Sequence, residues 1–126
     1  MTTVANNSGK KLLAIIRHSP YGGSLARTSI ETALAASAFD QAVCLLFLGD
    51  GVLQLMPDQE PGALGSRNLG RLLASLPLYD IESVYVDAQA VSRYQVKLEN
   101  TPVNAVPLQP PEMVELLREH DLLLGF

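Results

Sequence analysis

Apolar residues in this chain fall into short unbroken runs, separated by stretches where they recur every three or four positions. Leu12-Leu13-Ala14-Ile15-Ile16 is the first run. Without polar alternation, it predicts a strand covered on both faces. Arg17-His18-Ser19-Pro20 and Tyr21-Gly22-Gly23-Ser24 then read as a loop from their turn residues. Ile30, Ala33, Leu34 and Ala38 share one face at helical spacing. Ser24 directly follows the glycines and suits the N-cap of that helix; Thr28-Ser29-Ile30-Glu31 offers a later start as a capping box. Ala42 to Leu48 is the strongest strand, apolar in both of its alternating sets.

Gly49-Asp50-Gly51 ends that strand, Val52 to Leu55 fits one helical turn, and Pro57 to Gly62 reads as loop. Leu69, Leu72, Leu73 and Leu76 give the clearest helical face, with Pro77 as its expected stop. Val84-Tyr85-Val86 predicts a short strand and Ala88 to Arg93 a short helix. Val103 to Val106 predicts another strand, and the flanking Pro102 and Pro107 argue for a sheet edge. Pro111 suits the first turn of a last helix, with Glu112 and Glu115 early, Arg118 late, and Met113, Leu116 and Leu117 on its buried face. Leu122 to Leu124 predicts a terminal strand.

Strands that alternate with helices at these lengths imply right-handed crossovers and parallel pairing. The expected fold class is α/β: a single-domain, flavodoxin-like, five-stranded mainly parallel sheet with helices on both faces. Met1 to Lys10 reads as a flexible tail and residues 11–126 as one domain.

Composition narrows the function classes. Charged residues make up 17% of the chain against roughly 25% in an average soluble domain, so part of the surface is expected to lie against partners. The net charge of −4 and the lack of a basic run exclude the footprint of a direct nucleic-acid binder. A single cysteine, Cys44, excludes an internal disulfide and a multi-cysteine zinc site. The polar N-terminus lacks a signal-peptide pattern, and the first apolar run is too short for a membrane span, so a cytoplasmic location is expected.

Candidate chemistry is sparse. Cys44 lies mid-strand between Val43 and Leu45, with nothing around it to lower a thiol pKa, and reads as a small hydrophobe. Arg17, His18 and Tyr21 precede a Gly22-Gly23-Ser24 turn where an α/β fold binds ligands, yet no GxGxxG or P-loop lysine is present. His18 and His120 have no partner at metal-ligand spacing, and His120 suits compensation of a helix C-terminus. Asp87 follows the third strand as a receiver-domain phospho-acceptor would, but strand one ends in Arg17-His18 and offers no magnesium ligands. No catalytic residue, cofactor or metal is assigned. The cluster Val52, Leu53, Leu55 and Met56 has two open readings, a cap on the end of the sheet or a subunit contact.

Gly49-Asp50-Gly51-Val52-Leu53-Gln54-Leu55, the prolines Pro57 and Pro61, Leu78-Tyr79-Asp80-Ile81-Glu82 and the terminal Asp121-Leu122-Leu123-Leu124-Gly125-Phe126 together resemble the TusC/DsrF branch of the DsrE/DsrF sulfur-relay superfamily, from about Lys11 to Phe126. The resemblance implies the DsrE-like five-stranded fold and a heterohexamer with TusB-like and TusD-like subunits. It implies relay of persulfide sulfur from a TusA-like donor to a TusE-like acceptor, ending in 2-thiolation of the tRNA wobble uridine. DsrF-like relatives imply the alternative of a sulfur-oxidation complex, and a stand-alone persulfide carrier using Cys44 is a further alternative. In this family the relay cysteine belongs to the TusD/DsrE subunit, just after the third strand. The matching stretch here, Val86-Asp87-Ala88, has no thiol, and persulfide relay requires an accessible one. The expected role is therefore a non-catalytic structural subunit, with Tyr21, Gly51, Val52, Gln54, Leu55 and Tyr79 as candidate contact residues.

Overall fold

The computed structural model describes residues 11–18, 25–37, 42–55, 71–81, 83–101 and 103–125, with backbone only for 25–28. The expected tail Met1–Lys10, the cap Ser24 and the loop from Pro57 to Gly62 lie outside the described residues.

Five parallel strands form one sheet: β1 (Lys11–Ile16), β2 (Ala42–Phe47), β3 (Val84–Asp87), β4 (Ala105–Leu108) and β5 (Leu122–Gly125). Helix α1 (Leu25–Ser37) joins β1 to β2, α2 (Ala88–Tyr94) follows β3, and α3 (Pro110–Arg118) joins β4 to β5. The α/β class and the helices on both faces match expectation, and the sheet expected to be mainly parallel is parallel in every pairing. The order of the strands is β4-β3-β2-β1-β5, in contrast to the 2-1-3-4-5 order of flavodoxin.

That order dictates how the faces are covered. The steps β1 to β2, β2 to β3 and β3 to β4 all move one strand in the same direction. Right-handed crossovers therefore put all three connections on one face. The return from β4 to β5 runs the other way, so α3 crosses the opposite face. Side-chain packing follows this division. Leu12, Ala14, Ile16, Val43, Leu45, Phe47, Val84 and Val86 meet Ile30, Ala33, Leu73 and Ala90 in the larger core. On the other face Leu13 and Leu46 meet Leu108 and Leu116, with Ile15, Cys44, Tyr85, Met113 and Leu117 packed around them. A strand with buried residues on both faces cannot alternate polar and apolar positions, which is why β1 and β2 read as continuous runs.

Three local expectations are corrected. The fourth strand lies at Ala105–Leu108, two residues beyond the predicted Val103–Val106. Val103 enters the core from the preceding loop, whose carbonyl accepts from Thr101 Oγ1 at 2.6 Å. Pro107 sits inside the strand without penalty because β4 is at the edge, where a missing N–H need not break a ladder. Pro77 does not stop the helical path after residues 71–74; it occupies the first turn of a 3-10 segment, Leu76–Tyr79, which ends at Asp80 in the left-handed region with φ 64. Val52 to Leu55 belongs to a longer 3-10 segment, Gly49–Leu55.

Helix α3 starts as its sequence dictates. Gln109 and Glu112 form a reciprocal capping box, and the prolines at the first two positions need no amide partner. At its other end His120 Nδ1 lies 2.7 Å from the carbonyl oxygen of Leu116, in the last turn, which also accepts the Glu119 N–H at 3.3 Å.

Candidate functional site

The chain leaves β3 toward one face and β4 toward the other. The crevice at the carboxyl ends of such strands is where open α/β sheets place their ligands. On β3 that position is Asp87. Its Oδ1 accepts the backbone N–H groups of Gln89 at 3.1 Å and Ala90 at 3.3 Å, and thereby caps α2. Its Oδ2 accepts the N–H of Gly49 at 3.2 Å, from the turn that follows β2. The carboxylate is buried and ties three backbone amides from two elements. It is a structural clamp. The signal was present in the sequence as an acid between Val84-Tyr85-Val86 and the helix formers Ala88-Gln89-Ala90.

Beside it, the glycines of Gly49-Asp50-Gly51 have different jobs. Gly49 holds a left-handed φ of 55, which favours glycine. A Cβ on Gly51 would stand 2.0 Å from the Ile16 carbonyl oxygen, so only glycine allows this segment to press on the end of β1. Asp50 accepts a short hydrogen bond from the Tyr94 hydroxyl. That bond, more than any other influence, raises the phenol above its ordinary pKa. The Arg93 guanidinium lies 5.3 Å from the Tyr94 ring centroid.

The structure separates the six contact candidates. Val52 and Leu55 are fully buried in the larger core, so their side chains cap the sheet and offer no surface to a partner. Gly51 is buried by its approach to β1, and Gln54 is buried with its Nε2 donating to the His18 carbonyl at 2.8 Å. Gln54 Oε1 has no partner among the described residues. The segment meets solvent chiefly through Asp50, with Leu53 half-buried. Tyr79 is far away at the amino end of the sheet, 47% exposed, next to Leu78 at 84%, and these two are the residues of the set and its surroundings with large apolar surface available. Tyr21 lies outside the described residues.

Cys44 stands on the α3 face of β2, half-buried. Burial pushes its thiol above the ordinary value and Glu119 adds to the rise, while a hydrogen bond with Ser83 and the charge of Lys11 oppose it. A thiol held protonated is a poor nucleophile. Among the described residues no cluster of three or more His, Cys, Asp or Glu could hold a metal ion, and no helix is long and apolar enough to cross a membrane.

The DsrE/DsrF-like family model matches residues 10–126. A Protein TusC homolog of Pseudomonas aeruginosa is 34% identical over 115 residues, covering 91% of this chain and 97% of that protein. A Protein TusC homolog of Vibrio parahaemolyticus is 31% identical over 116 residues, covering 92% and 98%. The crystal structure of the ychN protein from E. coli superposes with a TM-score of 0.74 over 93% of this chain and 99% of that one, at 16% identity, a likeness of fold alone. The match spans all five strands and both glycine-rich and terminal segments on which the resemblance rested, and the chain belongs to the DsrE/DsrF-like family.

Proposed function

We propose that this chain is a non-catalytic subunit of a sulfur-relay complex, assembled with TusB-like and TusD-like subunits in a heterohexamer. The complex takes persulfide sulfur from a TusA-like donor and passes it to a TusE-like acceptor for 2-thiolation of the tRNA wobble uridine. The similarity to two proteins named TusC homolog supports the pathway.

One observation carries the non-catalytic role. The carboxyl end of β3 holds Asp87 where a relay would need a thiol, and the Asp87 carboxylate is committed to the amides of Gly49, Gln89 and Ala90. A carboxylate cannot accept or pass a persulfide, since relay proceeds by thiolate attack on sulfur. The remaining thiol, Cys44, sits mid-strand and is held protonated by burial. The chain then acts by holding other subunits in position. The exposed Leu78 and Tyr79 are the contact residues we favour, because apolar and aromatic anchors dominate interface energies.

Co-expression with TusB-like and TusD-like proteins, followed by sizing, tests the assembly; the expected product is one particle holding all three chains. A chain that elutes alone beside both partners refutes it. Measuring wobble 2-thiouridine in a strain lacking this chain tests the pathway: the nucleoside should disappear, and an unchanged level refutes a role in tRNA thiolation.

A further inference from the structure

Among the described residues, one nine-residue helix covers the face of the five strands that α3 crosses, and a groove of about 390 Å³ lies open beside it. Its floor is apolar: Tyr85 of β3, Leu108 of β4 and Leu116 of α3. Its rim is acidic. Glu112, Glu115 and Glu119 recur along one edge of the helix and line the groove, and no basic side chain among the described residues lines it. Arg118 offsets one of these charges through an exposed contact with Glu115 at 3.4 Å. The apolar surface continues outward to Val106, the register partner of Tyr85, which is 52% exposed.

The groove flanks an edge strand, which raises the choice between a strand and a helix as its occupant. β4 is short and carries Pro107, which has no N–H to offer a further ladder; such an edge is blocked against strand addition. An amphipathic helix laid over Tyr85, Leu108 and Leu116 needs no backbone pairing. Its flanking charges must be positive, because an acidic helix would be repelled by the Glu112, Glu115 and Glu119 rim and a neutral one would partly desolvate these carboxylates without adding a compensating charge. We infer that the groove between α3 and strands β3 and β4 is a docking site for a cationic amphipathic helix of a partner protein, with apolar side chains on the Tyr85–Leu108–Leu116 floor and Lys or Arg against the glutamate rim. The inference stands apart from the sulfur-relay reading, since it depends on the groove alone.

The test uses the full chain labelled with 15N and a synthetic helical peptide of leucine and lysine, with a leucine–glutamate peptide of the same pattern as control. The lysine peptide should shift the amide resonances of Tyr85, Leu108 and Leu116. Its affinity should fall on the order of tenfold between about 50 and 300 mM salt as the charges are screened, and on the order of tenfold again in the double variant Glu115→Lys, Glu119→Lys. Both substituted residues are exposed, and an unchanged circular dichroism spectrum checks that the variant is folded; Glu112 is kept because it caps α3. Shifts spread over the surface, equal binding of the glutamate peptide, or affinity indifferent to the double variant would each overturn the inference. So would groove resonances that move with protein concentration alone, which would mark a second copy as the occupant.

Discussion

Replacing Asp87 with alanine separates a structural clamp from a reactive group. The change removes the N-cap of α2, a loss of about 1 kcal/mol, because the N–H groups of Gln89 and Ala90 lose their acceptor. It also orphans the Gly49 N–H, which bonds to Oδ2 in a partly buried setting; an unsatisfied donor of this kind costs about 1–3 kcal/mol. Together Asp87→Ala should cost about 2–4 kcal/mol, a large share of the roughly 5–15 kcal/mol that holds a domain folded. Asp87→Asn keeps one acceptor oxygen for α2 and loses the Gly49 bond, so it should cost about 1–3 kcal/mol, less than the alanine variant. Urea denaturation followed by far-UV circular dichroism reads both. With a slope of about 1–2 kcal/mol per molar for a small domain, the midpoint for Asp87→Ala should drop by about 1 M or more at unchanged slope. A drop smaller than about 0.3 M would refute the clamp and reopen a chemical role for the carboxylate.

Gly51→Ala should be more damaging than its one added methyl suggests, by about 3 kcal/mol or more, because the Cβ meets the backbone carbonyl of Ile16, which no rotamer change can move; thermal denaturation checks this. Leu55→Glu should leave the isolated chain unfolded or aggregated, since it puts an unpaired carboxylate at a fully buried position, whereas Tyr79→Glu should give a folded chain that assembles poorly. Sizing of both variants with and without partners separates the two outcomes. Native alkylation of Cys44 at pH 8 should be slower than in urea, because the fold raises its thiol pKa and so lowers the thiolate fraction. The native rate should keep climbing as pH rises past the ordinary thiol value, while the denatured rate levels off.

The elements were legible where one physical signal dominated. β1 and β2 carry unbroken apolar runs because both of their faces are covered, and α3 announces itself through Pro111 in its first turn, with Glu112 and Glu115 early and Arg118 late. The carboxyl edge was legible as a turn at Gly49-Asp50-Gly51, but the reason for Gly51 is a contact with Ile16 in a neighbouring strand, which local sequence does not encode. Strand order was not legible, since short β-α-β units are compatible with several neighbours. Val52 and Leu55 look the same in sequence whether they face a partner or the chain's own core; they fill the core because the turn folds back over the larger face of the sheet. Pro77 reads as a stop by its lost amide, yet a 3-10 turn tolerates it at its start, where that amide has no partner to lose. The acidic groove went unread because its floor is assembled from β3, β4 and α3, and its rim looks like an ordinary solvated helix side.

The most direct test of the central claim is sulfur transfer by the reconstituted complex in which this chain carries Cys44→Ser. The chain then has no thiol at all. Transfer from a persulfide-loaded donor to the acceptor should run at the wild-type rate, because the chain contributes position and not chemistry. Transfer abolished in a complex that assembles normally would make this chain a sulfur carrier and contradict the account.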